Sequence, residues 1–152
     1  MKLSAEESRL EVIVRSTEID VNGHVNNAKY LEYLEWGRED FYEQANLPYD
    51  ALLAQGVVTV TVNINVNYRK EARQGDNLIV ITRPLRVGRT SFAIEQRIER
   101  RASSSAAEMT DDLVADAVVT LVTVDPQTRR PVPVPPLLRQ HFCAQEPGGD
   151  SA

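Results

Sequence analysis

The stretch DVNGHVNN, residues 20–27, gathers an aspartate, a glycine, one of only two histidines in the chain and three asparagines just ahead of a helical pattern. A helix start presents unpaired N–H groups and the positive end of the macrodipole, so it can hold a carbonyl oxygen as charge develops on it. A carboxylate close by can attack that carbonyl or activate a water beside it. Asp20 lies seven residues before Asn27, too far to cap the helix, and Gly23 gives the loop a point at which to curl back toward the helix start. The plainer alternative is a polar loop that begins a helix. Aspartates there stabilise turns, asparagines bond local backbone, and a lone histidine packs or faces solvent. Residue chemistry alone leaves both readings open.

Other chemistries are excluded more easily. No G-x-S-x-G elbow, P-loop or G-x-G-x-x-G occurs. Cys143 is the single cysteine and, with His24 and His141, supplies too few soft ligands for a zinc site, so no metal is expected. The 17 Lys and Arg against 22 Asp and Glu include no basic run, which argues against a nucleic-acid partner. MKLSAEESRL has no apolar stretch for a signal peptide, and no run approaches the ~20 apolar residues that cross a bilayer. No membrane association and a cytoplasmic location are the expectations.

The elements that must position DVNGHVNN follow from periodicity. RLEVIVR, 9–15, puts Leu10, Val12 and Val14 on one face of a first strand, with Ile13 breaking the alternation. From Asn27 to Asn46 the apolar spacing becomes helical through Tyr30, Leu31, Leu34, Gly37, Phe41 and Ala45. Asn26 or Asn27 suits its cap, and Asn46, Leu47 and Pro48 end it. Gly37 costs roughly 1 kcal/mol relative to alanine unless its bare Cα admits a close neighbour. VVTVTVNINVNY, 57–68, alternates strictly and reads as a long strand. QGDN, 74–77, turns the chain into NLIVITRPLRV, where Pro84 calls for an edge or a bulge. A turn at Gly88 leads to TSFAIEQRIER, a long loop spans 101–112, and LVADAVVTLVTV, apolar on both faces, reads as a central strand. The proline-rich ending continues no ladder. Its length is that of a single domain, 1–142, followed by a disordered tail, 143–152. The fold class is α+β: a curved antiparallel sheet of about five strands around one long helix, with apolar surface left over for a second copy.

The pattern Asp20, Asn22, His24, Asn26, Asn27, Tyr30 resembles the signature of the hotdog-fold acyl thioesterases, above all the 4-hydroxybenzoyl-CoA thioesterase family and the related plant acyl-[acyl carrier protein] thioesterases. The resemblance continues through YLEYLE, INVNYRKEARQGDNLIV and VGRTSFAIEQRI, covering about residues 9–140. It implies a hotdog fold and an acyl-CoA thioesterase that needs no cofactor. Asp20 would be nucleophile or general base, the backbone N–H of Asn27 the oxyanion donor, and Asn22 and His24 further catalytic residues. A homodimer or homotetramer is implied, with active sites at the dimer interface and the long strands joined into one sheet. The phosphates of coenzyme A favour arginines at the site mouth. Arg86 and Arg89, with Thr90 and Ser91 beside them, are the candidates, while Arg69, Lys70, Arg73, Arg100 and Arg101 are equally available. Trp36, Tyr33 and Phe41 are candidates to line an acyl pocket, against ordinary core packing. An acyl carrier protein in place of coenzyme A and a non-catalytic acyl-CoA binding module are the alternatives.

Overall fold

The computed structural model describes residues 7–101 and 112–143. Strands β1 (Ser8–Ile13), β2 (Val58–Tyr68), β3 (Asn77–Val87), β4 (Ser91–Arg100) and β5 (Asp112–Val124) build one five-stranded antiparallel sheet in the order β1-β3-β4-β5-β2. β5, apolar on both faces, lies between β4 and β2, with Val119 and Leu121 buried on one face and Val118 and Val122 partly exposed on the other. Val12 and Val14 point into the core and Ile13 points out, which settles the broken alternation in β1. At Pro84 the ladder to β4 slips by a residue, and β1 extends along β3 only to Thr82. No neighbouring strand therefore needs the N–H that proline lacks.

Helix α1 (Asn27–Gln44) crosses the concave face of this sheet and buries Tyr30, Tyr33, Leu34, Gly37, Arg38 and Phe41. The three-and-four spacing made that stripe legible, but Leu31 is exposed and the charged Arg38 is buried in its place. The helix stops where Leu47 N–H bonds Tyr42 O at 2.7 Å and Asn46 N–H bonds Glu43 O at 3.1 Å, with Asn46 in the left-handed region at φ 62. Asparagine tolerates that conformation, and the pattern pairs carbonyls the helix end would leave open.

Gly37 marks the closest approach of α1 to the sheet. A Cβ there would lie 2.5 Å from Val80 Cγ1, 3.0 Å from Thr82 Oγ1 and 3.1 Å from Gln96 Nε2. Gly37→Ala should therefore lower stability by roughly 1–3 kcal/mol through overpacking, although alanine is the better helix former. Thermal denaturation checks this, and an unchanged or raised melting temperature would show that the helix shifts freely.

Two helices were not anticipated. α2 (Tyr49–Ala54) carries Leu52 into a cluster with Leu47, Phe41 and Val57. α3 (Pro136–Cys143) starts on a proline, whose fixed φ suits a first helical turn. It buries Leu138 and Phe142, with the Phe142 ring 5.4 Å from that of Phe92. The prolines of the C-terminal stretch thus end one ladder and begin a helix that closes the core. No helix among the described residues is long and apolar enough to cross a membrane. The expected 101–112 loop and the tail after Cys143 fall almost wholly outside the described residues.

Candidate active site

Between β1 and α1 the chain makes a small closed hairpin. Ile19 and Val25 form an isolated antiparallel bridge, Asp20 N–H donates to His24 O at 3.0 Å, and Gly23 N–H donates to Asp20 O at 3.0 Å. Asp20 Oδ1 also accepts the Asn22 N–H at 2.9 Å. Aspartate at the first position of a turn and glycine at the fourth are the residues such a turn prefers. Gly23 sits at φ 86 with open space around its absent Cβ, so backbone conformation alone calls for glycine there. The turn puts Asp20 directly across from His24, with Val21 at its tip 99% exposed.

The hairpin is tied down on both sides. Val25 N–H bonds Ala72 O at 2.8 Å, and Ala72 N–H donates to Tyr30 Oη at 3.0 Å. Asn26 N–H bonds Glu18 O at 3.1 Å. The Glu18 carboxylate is itself buried and accepts from Tyr33 Oη at 2.8 Å and from Arg15 N–H at 2.9 Å. Burial, reinforced by that carboxylate, raises the Tyr33 phenol well above its ordinary range. Asn26 is the cap: its Oδ1 accepts the Ala28 N–H at 2.8 Å. The N–H of Asn27, one residue earlier, has no acceptor among the described residues. Three residues separate His24 from Asn27, a span of at most about 10 Å. Asp20, Asn22, His24 and Asn27 therefore come together at one end of the molecule.

Arg86, Arg89, Thr90 and Ser91 do not join them within the chain. They sit at the β3–β4 turn, where Arg139 Nη2 donates to Gly88 O at 2.6 Å and Val134 N–H to Arg89 O at 2.9 Å. That turn is at the far end of β3, about 30 Å from the hairpin at the strand rise per residue. Beside the hairpin, in the segment holding Ala72, are Arg69, Lys70 and Arg73, exposed cations with Arg100 next to them. Arg69 bonds Asp116 at 2.8 Å and holds that carboxyl below the usual carboxylate range.

A cavity of about 940 Å³ runs along the outer face of α1, between sheet edges β1 and β2. One end reaches Arg15 and Glu18, and the other reaches Leu47, Leu52 and Val58. Of the aromatic candidates only Trp36 lines it; Tyr33 and Phe41 are buried core residues. Arg38 lines it too, and burial lowers the affinity of its guanidinium for the proton. The Tyr42 hydroxyl is pushed up to about 12 by burial.

The thioesterase-like superfamily matches residues 14–142 of the chain. The chain belongs to the thioesterase-like superfamily. It is 33% identical over 130 residues to the long-chain acyl-CoA thioesterase FadM of Escherichia coli K12, covering 86% of this chain and 92% of that one. It is 30% identical over 134 residues to the acyl-CoA thioester hydrolase YbgC of E. coli O157:H7, covering 88% and 94%. Its fold superposes on a 4-hydroxybenzoyl CoA thioesterase variant complexed with 4-hydroxybenzoyl CoA, at a TM-score of 0.79 over 90% of this chain and 99% of the other, with 19% identity. The curved sheet around α1 is the hotdog fold of these thioesterases.

In this thioesterase-superfamily chain the sequence exposed the residues of the hairpin but not what holds it. Glu18 and Ala72 act through contacts with Tyr33 and Tyr30 made across distant segments, and no local pattern signals such contacts. Buried Arg38 and Gln96 were missed for the same reason.

Proposed function

We propose that the protein hydrolyses acyl-CoA thioesters to a carboxylic acid and coenzyme A, with Asp20 as nucleophile or general base and the Asn27 N–H as oxyanion donor. The observation that carries this reading is the hairpin: the Asp20 carboxylate is fixed opposite His24, and three residues after His24 begins a helix whose first N–H has no acceptor among the described residues. A thioester carbonyl conjugates poorly with sulfur and thiolate leaves readily, so one carboxylate and one N–H suffice. Asp20 either adds to the carbonyl carbon, expelling coenzyme A thiolate before water cleaves the acyl-aspartate, or takes a proton from the water that adds directly. Both routes consume one water and return the proton to the thiolate.

Arg69, Lys70 and Arg73 stand beside the hairpin and are suited to the phosphates of coenzyme A. Arg86 and Arg89 would reach the site only from a second copy. Such a copy has a place to dock, because among the described residues β2 pairs on one side only, carries no charge or proline over its 11 residues, and exposes Val62, Ile64 and Tyr68. A homodimer or a homotetramer built from it, in the cytoplasm, completes the proposal.

His24 is assigned to orienting Asp20 or the attacking water. Its half-buried side chain makes no hydrogen bond among the described residues, so His24→Ala should change stability by only about 0.5 kcal/mol while turnover falls severalfold. A fall in melting temperature with kcat intact would mark it as a packing residue. The reading as a whole is tested by free-thiol release from short, long and aromatic acyl-CoAs. Release with saturation kinetics on at least one of them is expected, and none from the folded protein across the panel overturns it.

A further inference from the structure

The cavity along α1 contains polar groups that no part of the proposed hydrolysis uses. Arg38 is 9% exposed, and its only hydrogen bond is from Nη1 to Gln96 Oε1 at 3.1 Å; it forms no ion pair among the described residues. Gln96 is fully buried and spends its amide N–H groups on Leu34 O and Thr82 Oγ1, both at 2.9 Å, so its oxygen stays aimed at the arginine. A guanidinium has five N–H donors, and one is used here. One turn further along the helix, the Tyr42 hydroxyl is buried beside the Thr59 side chain, with no other candidate partner among the described residues. Buried donors of this kind call for an acceptor. The rest of the lining includes Trp36, Leu52 and Leu121, suited to an alkyl or aryl body.

Charge decides which acceptor fits. Glu35, Glu39, Asp40 and Glu43 also line the cavity, against Arg15 and Arg38, so a carboxylate brought beside Arg38 would enter a lining with an excess of negative charge. A neutral oxygen avoids that cost. Position decides where that oxygen lies. Arg38 is eleven residues beyond Asn27, about 16 Å along the helix axis, and its side chain leans back toward the N-terminus. The near end of the cavity is at Glu18, two residues before Asp20.

We propose that this cavity takes the acyl group and that Arg38 and Tyr42 select acyl groups carrying a neutral oxygen, a hydroxyl or keto group, far from the thioester carbonyl. The proposal rests on the hydrolase reading above for the identity of the ligand, but its test does not require turnover. Trp36 is the only tryptophan in the chain and lines the cavity, so its emission reports occupancy directly. The probes are three non-hydrolysable coenzyme A thioethers bearing a dodecyl, an ω-hydroxydodecyl or an ω-carboxydodecyl chain. The ω-hydroxyl chain should bind the full-length protein with a Kd at least roughly tenfold below the other two, the size of effect expected for a hydrogen bond to a buried charged donor. Arg38→Met should close that gap. Tyr42→Phe, which removes a single hydroxyl and keeps the ring, should fold normally and should narrow it. Equal Kd values, tighter binding of the plain or carboxylate chain, a gap untouched by Tyr42→Phe, or no change in Trp36 emission with any probe each overturns the proposal. Thiol release from acyl-CoA without a Kd gap would leave hydrolysis standing and sink the selection; a Kd gap without thiol release would do the reverse.

Discussion

Asp20→Asn should lower kcat roughly a hundredfold to ten-thousandfold, the range over which a positioned acid or base contributes, while fold and acyl-CoA binding persist. The substitution is well matched to the local geometry. An asparagine keeps the oxygen that accepts the Asn22 N–H, so the turn from Asp20 to Gly23 retains its side-chain bond as well as its main-chain one. Only the charge and the basicity are removed. Circular dichroism, the melting temperature and titration with a coenzyme A thioether should match wild type, and thiol release should collapse. A variant that turns over a confirmed substrate at near-normal kcat excludes Asp20 from the chemistry and reduces the hairpin to a structural turn.

The second large effect concerns a main-chain group, and proline gives access to it. Asn27 is the first residue of α1, and its N–H lacks an acceptor among the described residues. Proline is well tolerated at this position, because its fixed φ suits the first turn and the N–H it removes has no helical partner. It also requires extended backbone in the preceding residue, and Asn26 already has φ −63 and ψ 138. Asn27→Pro should therefore preserve the helix and delete the proposed oxyanion donor, with a loss in kcat of roughly a hundredfold or more. Asn27→Ala is the control that changes the side chain and keeps the N–H. Equal kcat values for the two variants would remove this N–H from the mechanism.

Much of this arrangement could be read before any coordinates. The alternation in β2, the doubly apolar β5, the bulge at Pro84 and the helix from Asn27 to about Asn46 each follow from local period or from the limits of one residue type. The cap could be narrowed to two asparagines, and geometry chose Asn26. What could not be read depends on residues far apart in sequence. Tyr33 and Glu18 are fifteen residues apart, and Arg38 and Gln96 fifty-eight, yet they share hydrogen bonds. A buried arginine has no sequence pattern of its own; Arg38, four residues after Leu34 and three before Phe41, stands at the margin of the apolar stripe, where its charge alone argues for solvent. α3 was hidden by its prolines, which break ladders wherever they stand and announce a helix only at its first turn. The proposed coenzyme A contacts were the least legible. Arginines in loops look alike in sequence, and only the sheet's length shows that Arg86 and Arg89 stand at the far end from Asp20 while Arg69 and Arg73 stand beside it.

The one-sided pairing of β2 also affects how this protein behaves on dilution. Eleven uncharged residues, with one row of main-chain groups left unpaired among the described residues, make the isolated chain a template for an extended segment. A folded state that gains by covering that edge gains by mass action, so its melting temperature should climb with protein concentration. Dilution would then uncover that edge, and the melting temperature would fall with it.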